Sequence, residues 1–510
     1  MKKKKIIAVI IVSILVVTCF FADYLIQRNS IYKKIAKELE IVENSKTKIY
    51  SKEYLELINI INSPKLKLNS SLKEIEKSLD SLIENKTYAY DENYRNINNL
   101  KTISFGDADY VISTKYPNII VNTNDNCGDT ITKETGYVKA TITVIYNNEC
   151  ITDNDAQIKI RGNSTATAEK KPFNIKLSEK VDLFGFGAAK KWSLLAECYD
   201  PTMLRNKLFF DLAKDMELEY TSESEYVNLW LDGKYLGCYL FVEPVDSGKT
   251  RVDVDIDDGD FMFEYERERA EEGATYVVTT KGWRFVLNDP EEPTEDQYEY
   301  INNKINELDS VLTSGDWNLV EKEINVESFA KFYVLNEFAK PTDFVYSSVK
   351  FYYKDGIFYA GPVWDYDLSS GNVTDVAEVG YLHYWEGYDL ANNHDSSKGL
   401  YCTENEIFNA LFMYDGFMSR VKETFNDSKE LFESQFAAGG KLDELLNKYL
   451  PIISRNYEND VYDGANWDVS KEYTDIAYKR FETYEENYNY LRSWLSDRYK
   501  WIYKEIDKYR

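Results

Sequence analysis

The spacing of hydrophobic and polar positions divides this chain into three segments. Residues 6–22 are almost uninterruptedly apolar and follow four consecutive lysines. Residues 29–100 are polar, but LKEIEKSLDSLI and YLELINIINS carry apolar residues at helical spacing. From about residue 104, short runs rich in Val, Ile and Thr predict β-strands. We therefore predict a signal anchor over 1–28, a helical stalk or spacer over 29–100 and one folded domain over 101–510.

The first part of the predicted domain is rich in strands. Strand candidates are YVISTKYPNIIVNT, VKATITVIY, AQIKIRG and FNIKL. YVNLWLDGKYLGCYLFVEPV predicts a β-hairpin that turns at Asp232-Gly233, because Asp-Gly suits the left-handed backbone of a two-residue turn. SSVKFYYKDGIFYAGPVWDYD predicts a second hairpin that turns at Asp355-Gly356.

The second part of the domain is mostly helical. DPTMLRNKLFFDLAKDM predicts a helix with Asp200 as its N-cap and a proline in its first position. TEDQYEYINNKINELDSVL and VESFAKFYVLNEFAK predict two more helices, and helical spacing dominates beyond about residue 400. Strands first and helices last predict an α+β domain.

The charge and the N-terminus restrict the function and the location. With 87 acidic and 61 basic residues the net charge is -26, which argues against nucleic-acid binding and favours cationic partners such as metal ions or basic peptides. Lysines before an apolar run predict a cytoplasmic N-terminus. We expect a single-pass protein of the cell membrane with an extracytoplasmic domain; the alternative from the N-terminus is a secreted protein.

Cysteines and histidines are too few for several kinds of site. The two histidines and the absence of a CxxC motif argue against a zinc site and a His-based triad. Catalysis would therefore depend on carboxylates, lysines and arginines. An odd number of cysteines follows the anchor, and Cys127 with Cys150, which flank a predicted hairpin, form the most plausible disulfide.

Two acidic or glycine-containing stretches resemble known binding loops but depart from them. DVDIDDGDFMFE spaces its acids as a calcium loop does, but Gly259 comes one place late for the sharp turn, which favours an acidic turn before a strand. EPVDSGKT ends like a phosphate-binding P-loop, but Glu243 stands where the first glycine is needed.

Three stretches carry candidate chemistry. In QIKIRGNSTATAEKKPFNIKL, basic residues surround a turn whose backbone N–H groups could hold a phosphate; a solvated basic hairpin is the alternative. In NEFAKPTDFVYSS, Asp343 follows a proline, as turn-forming aspartates commonly do. In AGPVWDYDLSSGN, Asp365 and Asp367 would share one face of a strand and suit Mg²⁺ or Ca²⁺, unless they cap the following turn or pair with Arg or Lys.

Five ordered motifs in residues 104–510 resemble the CotH kinase family, the spore coat protein H-like atypical protein kinases. They are RGNST, KKPFNIKL, LLAECYDPTMLRNKL, YVNLWLDGKYLGCYLFVEPV and YAGPVWDYDLSSGN. The resemblance implies a highly diverged protein-kinase-like fold with ATP as phosphate donor and Mg²⁺ (or Mn²⁺) as cofactor. It also implies acceptors that are surface or spore-coat proteins, Ser/Thr-containing and often basic. Association of the protein itself with the spore coat is the alternative location that the resemblance implies.

The resemblance assigns a role to several residues. Asp343 matches the catalytic aspartate, and Asp365 matches the metal-binding aspartate, with Asp367 as a helper. For ATP binding, Lys176 is the expected phosphate-binding lysine and Arg161 a second contact.

Four further positions follow from the same motifs. Glu243 ends a segment expected to meet adenine, and Ser348 stands where ordinary kinases have a second metal ligand. Arg205 and Asn206 belong to the helix motif as structural or catalytic residues. Two other functions stay open: a catalytically weak or inactive scaffold or adhesion protein in coat or cell-surface assembly, and a calcium-dependent polysaccharide-binding protein.

Overall fold

The computed structural model describes residues 21–39, 61, 70–84, 100–105, 108–267, 273–373, 395–457, 465–473 and 478–506. Two compact units, Met1–Thr102 and Ile103–Arg510, make up the chain. Within the first unit, residues 21–39 and 72–84 are helical, and the second of these helices is the one that LKEIEKSLDSLI predicts. Most of the predicted anchor lies outside the described residues. In the described ranges, no helix combines the length and hydropathy needed to cross a membrane.

The second unit begins with β-strands, seven of which close into a barrel. A separate two-stranded sheet consists of β1 (Leu100–Phe105) and β2 (Ala108–Ser113). The barrel strands, in chain order, are β3 (Asn118–Thr123), β4 (Val138–Tyr146), β5 (Glu149–Ile160), β6 (Phe173–Asp182), β7 (Ala188–Leu195), β8 (Ser224–Leu231) and β9 (Lys234–Val242). Their order around the barrel is β3-β4-β5-β6-β7-β9-β8. The closing pair, β3 with β8, is parallel, and the other pairs are antiparallel.

The period-two pattern of the sequence fills the barrel interior. On β5, Ala156, Ile158 and Ile160 are buried in the core, whereas Gln157 and Lys159 alternate with them and face outward. Apolar side chains from the other strands meet them there. Burying them stabilises the barrel because apolar surface leaves water. The outward residues of β5, β6 and β7 remain available for a site.

A second sheet of five strands has the order β11-β12-β10-β13-β14. Its strands are β10 (Phe261–Tyr265), β11 (Tyr276–Val278), β12 (Arg284–Asp289), β13 (Val349–Lys354) and β14 (Ile357–Ala360). Both predicted hairpins are confirmed: β8 pairs with β9 and β13 with β14. The turn residues Asp232, Gly233, Asp355 and Gly356 all have positive φ, as the two-residue turns require.

Helices lie between these strands and after them in the chain. They are α1 (Arg205–Asp215), α2 (Glu295–Leu312), α3 (Trp317–Glu323), α4 (Val326–Ala339), α5 (Glu406–Leu411), α6 (Asp415–Asp427), α7 (Lys429–Phe436), α8 (Lys441–Tyr457) and α9 (Tyr484–Glu505). The predicted helices in TEDQYEYINNKINELDSVL and VESFAKFYVLNEFAK are α2 and α4. The α+β prediction, strands first and helices last, is confirmed.

The predicted start of α1 was wrong. The helix begins at Arg205 rather than directly after Asp200, because Met203 has a φ of 57° that a right-handed helix cannot contain. Asp200 still serves the helix terminus: its Oδ2 accepts hydrogen bonds from the backbone N–H groups of Leu204 and Arg205, at 3.0 and 2.8 Å. Asp200 thus caps α1 although it lies several residues before the first helical residue, Arg205.

The predicted disulfide was also wrong. Cys127 and Cys150 are both free. Cys150 lies opposite Ile145 on β4, whereas Cys127 follows the end of β3, which pairs with β4 at Ala140. Ala140 and Ile145 are five residues apart on β4, which is roughly 16 Å. The two cysteines lie near these two different positions and are therefore too far apart for an S–S bond.

Helix α9 is joined to α4 by a fully buried ion pair. Arg498 and Glu337 are both 0% exposed, and their Nη2 and Oε1 atoms are 2.6 Å apart. Arg498 also donates from Nη1 to the carbonyl of Gly399 at 2.7 Å. Glu337 further accepts from the backbone N–H groups of Tyr401 and Cys402. One buried cation therefore organises three segments of the helical part.

We expect Arg498→Ala to lower the free energy of unfolding by about 3–5 kcal/mol, because it leaves the Glu337 carboxylate buried without its cation. Urea denaturation followed by circular dichroism measures this change. The control is Lys500→Ala, which removes an exposed ion pair and should cost less than about 0.5 kcal/mol. A loss below about 1 kcal/mol for Arg498→Ala would contradict the expectation.

Candidate functional site

A cavity of about 610 Å³ lies at one end of the barrel, between it and the five-stranded sheet. On the barrel side its wall is formed where β5 ends, β6 begins and β7 ends. Across from these lie parts of β10 and β12, and the segments that follow α4 and β14. Its carboxylates are Glu197, Glu264, Glu266, Glu291, Asp343, Asp365 and Asp367. Its cations are Lys159, Arg161 and Lys350.

The two aspartates of WDYD lie in an irregular segment rather than on the predicted strand. Strand β14 ends at Ala360, and Asp365 has a φ of 70°, a left-handed conformation that costs energy for a residue other than glycine. Tyr366, between the two, is buried; its N–H donates to Asn206 Oδ1 at 2.7 Å and its hydroxyl to Asn336 Oδ1 at 3.1 Å. Held in this way, Asp365 and Asp367 line the same cavity.

Burial and mutual repulsion between carboxylates together determine the electrostatics of this wall. Burial, and then the charges of Asp365, Glu197 and Asp343, raise the pKa of Asp367 well above its ordinary value. A hydrogen bond from the Leu368 N–H, at 2.9 Å, opposes part of this effect. A cation placed among these groups would relieve the repulsion.

Arg161 supplies positive charge beside the aspartates. Burial lowers its pKa, and the charges of Asp365 and Asp367 raise it again. The guanidinium stays charged because arginine does not lose its proton in proteins. It also lies over the Trp364 ring, with Cζ 5.4 Å from the ring centroid, which fixes its plane. Arg161, Asp365 and Asp367 all line the same cavity.

Asp343 and Ser348 reach the cavity from the turn after α4. Asp343 lies in a short 3₁₀ turn, Thr342–Val345, and accepts a hydrogen bond from the Tyr346 hydroxyl. Ser348 has a φ of 60° and donates from Oγ to Asp365 Oδ2 at 3.2 Å. The position of the predicted second metal ligand is therefore next to the predicted metal-binding aspartate.

Glu197, at the end of β7, is a functional candidate that the sequence analysis did not include. It is 5% exposed and has a φ of 53°. Asn206 Nδ2 donates to its two carboxylate oxygens at 3.1 and 3.2 Å. Burial, and then the charge of Asp200, raise the pKa of Glu197 to about 8. A charged residue directly after the apolar run WSLLA was the signal that could have indicated it.

Lys170 stands behind Glu197. It is 4% exposed, and its Nζ donates to the carbonyls of Ala196 at 3.0 Å and Cys238 at 2.6 Å. Burial lowers the pKa of Lys170 to about 8, while the charge of Glu197 acts in the opposite direction. The lysine thus secures the backbone on which Glu197 lies.

The predicted phosphate-binding lysine, Lys176, lies outside the described lining of the cavity. On the neighbouring strand, Lys159 does line it. The two side chains share the outer face of the barrel, because Lys159 pairs with Asn174 and Lys176 with Gln157 across β5 and β6. Lys159 Nζ is 4.7 Å from the Tyr137 ring centroid and Lys176 Nζ is 6.0 Å from it. Lys159 and Lys176 therefore lie on adjacent strands, β5 and β6, and form one basic face on the outside of the barrel.

Glu243 and Arg205 also lie outside the cavity lining. Glu243 pairs with Arg251 at the end of β9 and lines a separate cavity of about 340 Å³. Arg205 is 2% exposed, pairs with Asp200, and donates from Nε to the Ser369 carbonyl at 3.0 Å. Arg205 thus supports the backbone just beyond the WDYD aspartates.

The oxygen donors of the cavity suit a hard divalent cation. Asp343, Asp365, Asp367 and the Ser348 hydroxyl are the ligand types that Mg²⁺ prefers. Within the described ranges, no three His, Cys, Asp or Glu side chains are assembled as a metal site. Mg²⁺ in phosphate-transfer sites typically takes one or two carboxylates, waters and phosphate oxygens, so it does not need such a group. The residues therefore fit the cation.

The raised pKa of Glu197 predicts a pH-dependent stability. An unfolded glutamate titrates near pH 4.3, whereas folded Glu197 keeps its proton up to about pH 8. Between these values the unfolded chain binds fewer protons, so the free energy of unfolding should fall as the pH rises.

Glu197→Gln should remove this contribution and flatten the decline, as urea denaturation at several pH values between 4.5 and 8 would measure. Glu423→Gln, at an exposed position, serves as control and should leave the slope unchanged. An equal slope in the wild type and Glu197→Gln would show that Glu197 does not titrate as described.

Comparison with models of protein families gives a match to the family described as CotH kinase protein, over residues 158–502. The matched region starts within β5, includes the described residues that line the cavity and extends into α9. A comparison with curated proteins finds no match. Because the matched region spans more than half of the 510 residues, the chain belongs to the CotH kinase family.

Proposed function

We propose that this protein is an ATP-dependent protein kinase that transfers the γ-phosphate to a Ser or Thr hydroxyl of another protein. One observation carries the proposal: a single cavity brings together Asp343, Asp365 and Arg161, which lie far apart in the sequence. Membership in the family supports it. Phosphoryl transfer requires positioning and charge neutralisation more than covalent chemistry, and carboxylates with an arginine supply both.

Asp343 is the residue proposed to orient the acceptor hydroxyl and to accept its proton. Its carboxylate lines the cavity, and the Tyr346 hydroxyl donates to it and restricts its rotation. Asp365 and Asp367 would hold Mg²⁺ (or Mn²⁺), with Ser348 beside Asp365. When bound, the cation neutralises phosphate charge during transfer.

The RGNST turn is proposed to hold the phosphates of ATP. Gly162 has a φ of 82°, and a β-carbon at this position would collide with the Thr165 hydroxyl, so the turn requires glycine. Successive backbone N–H groups in such a turn favour anions. Arg161 begins this turn and adds a full positive charge.

The acceptor is proposed to be a basic, Ser/Thr-containing surface or spore-coat protein. Glu266 and Glu291 line the cavity and give a basic segment complementary charge. The location outside the cytoplasm and the anchor over 1–28 stay predictions that rest on the N-terminal lysines and the apolar run.

Asp343→Asn should lower the rate of phosphate transfer by about 10²–10⁴-fold, because it removes the proton acceptor. Asp365→Asn should abolish metal-dependent ATP binding. Transfer of labelled γ-phosphate from ATP with Mg²⁺ or Mn²⁺, to the protein itself or to a basic acceptor, measures the first effect. A nucleotide-dependent shift in melting temperature measures the second.

The control is Asp232→Asn, which changes a partly buried aspartate of the β8–β9 turn outside the cavity. It should keep both activities. If folded Asp343→Asn labels as fast as the wild type, Asp343 has no catalytic role.

The basic face of the barrel allows a separate prediction on ATP affinity. Because Lys159 lines the cavity and Lys176 lies on the adjacent strand, Lys159→Ala should raise KM for ATP about tenfold, the loss of one charge-assisted phosphate contact. Lys176→Ala should raise it less than about threefold. Steady-state kinetics at varied ATP concentration measure KM for both variants. A larger rise of KM in Lys176→Ala would indicate that Lys176, rather than Lys159, is the phosphate-binding lysine.

An inactive scaffold or adhesion protein is the second candidate. Ser348 favours it, because this residue stands where ordinary kinases have a metal-binding asparagine. A melting temperature that no combination of nucleotide and metal changes would favour the scaffold. Calcium-dependent glycan binding has less support, because carboxylates of the DVDIDDGD stretch cap its own backbone: Asp255 accepts from the Asp257 N–H and Asp260 from the Asp255 N–H.

A further inference from the structure

We propose that Asn206 is a positioning residue that sets the two WDYD aspartates for a divalent cation. The inference rests on the proposed function, since it assigns the cation to that same site. It concerns neither a ligand nor a catalytic group: Asn206 acts through the backbone of Tyr366. Its side chain lies between the carboxylate at the end of β7 and the segment that carries Asp365 and Asp367.

The hydrogen bonds of Asn206 determine its orientation. Its Oδ1 accepts from the Tyr366 N–H at 2.7 Å, and its Nδ2 donates to the Glu197 carboxylate at 3.1 and 3.2 Å. A flipped amide would place an NH₂ group against the Tyr366 N–H, and this contact between two donors would be repulsive. The side chain is therefore complementary to both neighbours in one orientation.

The position of Tyr366 makes this contact consequential. Tyr366 is the residue between Asp365 and Asp367. A fixed Tyr366 backbone therefore fixes the backbone positions from which both aspartate side chains extend. The segment is strained at Asp365, whose φ is 70°. Such a conformation persists where surrounding contacts enforce it. The hydrogen bond between Asn206 and the Tyr366 N–H holds the residue that directly follows the strained Asp365.

Glu197 holds Asn206 in turn. Both side chains are almost fully buried, at 5% and 2% exposure, so loss of a hydrogen bond between them is not replaced by water. The Nδ2 group needs an acceptor, and the Glu197 carboxylate provides it. This arrangement resembles the outer hydrogen bonds that orient the ligands of metal sites, whose loss typically lowers metal affinity about 10–100-fold.

Other contacts secure the same segment farther along the chain. Arg205 reaches the Ser369 carbonyl, and Asn372 Nδ2 donates to the Asp367 carbonyl at 2.7 Å. These anchors should keep the segment folded when Asn206 is changed. The expected defect is therefore a local error in carboxylate placement, not loss of the fold.

The test measures Mn²⁺ affinity by isothermal titration calorimetry on the full chain, alone and with a non-hydrolysable ATP analogue. Asn206→Ala should raise the Mn²⁺ dissociation constant about tenfold or more. Asn228→Ala is the matched control, because Asn228 is an equally buried amide, 1% exposed, on β8. It should lower the melting temperature without changing Mn²⁺ affinity.

A second pair of variants decides the question even if Asn206→Ala does not fold. Glu197→Gln keeps an acceptor for Asn206 Nδ2, whereas Glu197→Ala removes it. Mn²⁺ affinity should stay within about threefold of the wild type in Glu197→Gln and fall about tenfold in Glu197→Ala. Equal losses in both would mean that the carboxyl group of Glu197 matters rather than its hold on Asn206, which overturns the proposal.

Two further outcomes overturn it: unchanged Mn²⁺ affinity in folded Asn206→Ala, or a wild type that binds no Mn²⁺ in either condition. A wild type that binds Mn²⁺ with the expected dependence on Asn206 but transfers no phosphate supports the positioning role and refutes the kinase. The two proposals can thus fail separately.

Discussion

Repulsion between carboxylates in one partly buried wall is the constraint on which the site depends. Glu197, Asp343, Asp365 and Asp367 line one cavity, and their charges, after burial, raise the pKa of Asp367. Left alone, such groups would move apart or take up protons. They stay together because their backbones are held in place, by Asn206 at Tyr366 and by the turn after α4. The fold thus maintains an arrangement that favours a cation.

The barrel and the helical part contribute differently to this arrangement. The barrel supplies positive charge along its rim and outer face, from Arg161 and Lys159, together with a glycine turn. The segments after α4 and β14 supply Asp343 and the WDYD aspartates. In the proposed transfer reaction, the phosphates would lie near the first group and the cation near the second.

Short-range rules in the sequence located much of the fold, and long-range geometry explains what they missed. Asp-Gly pairs identify both hairpins because the turn depends on two residues alone, but the start of α1 depends on the left-handed Met203. Arg161, Asp343 and Asp365 could be named from motifs. Lys176 and Glu243 could not be placed correctly relative to the cavity, because their positions depend on strand register and on how the barrel closes.

Closure of the barrel determines the shortest fragment of the chain that can fold on its own. The family match begins at residue 158, within β5, so β3, β4 and most of β5 precede it. A chain cut at that residue would retain β6, β7, β9 and β8 of the barrel, and would leave β6 and β8 as open edges beside an uncovered apolar interior. Open edges of this kind pair with other chains and aggregate. The unit of folding is therefore longer than the unit of family resemblance and includes β3.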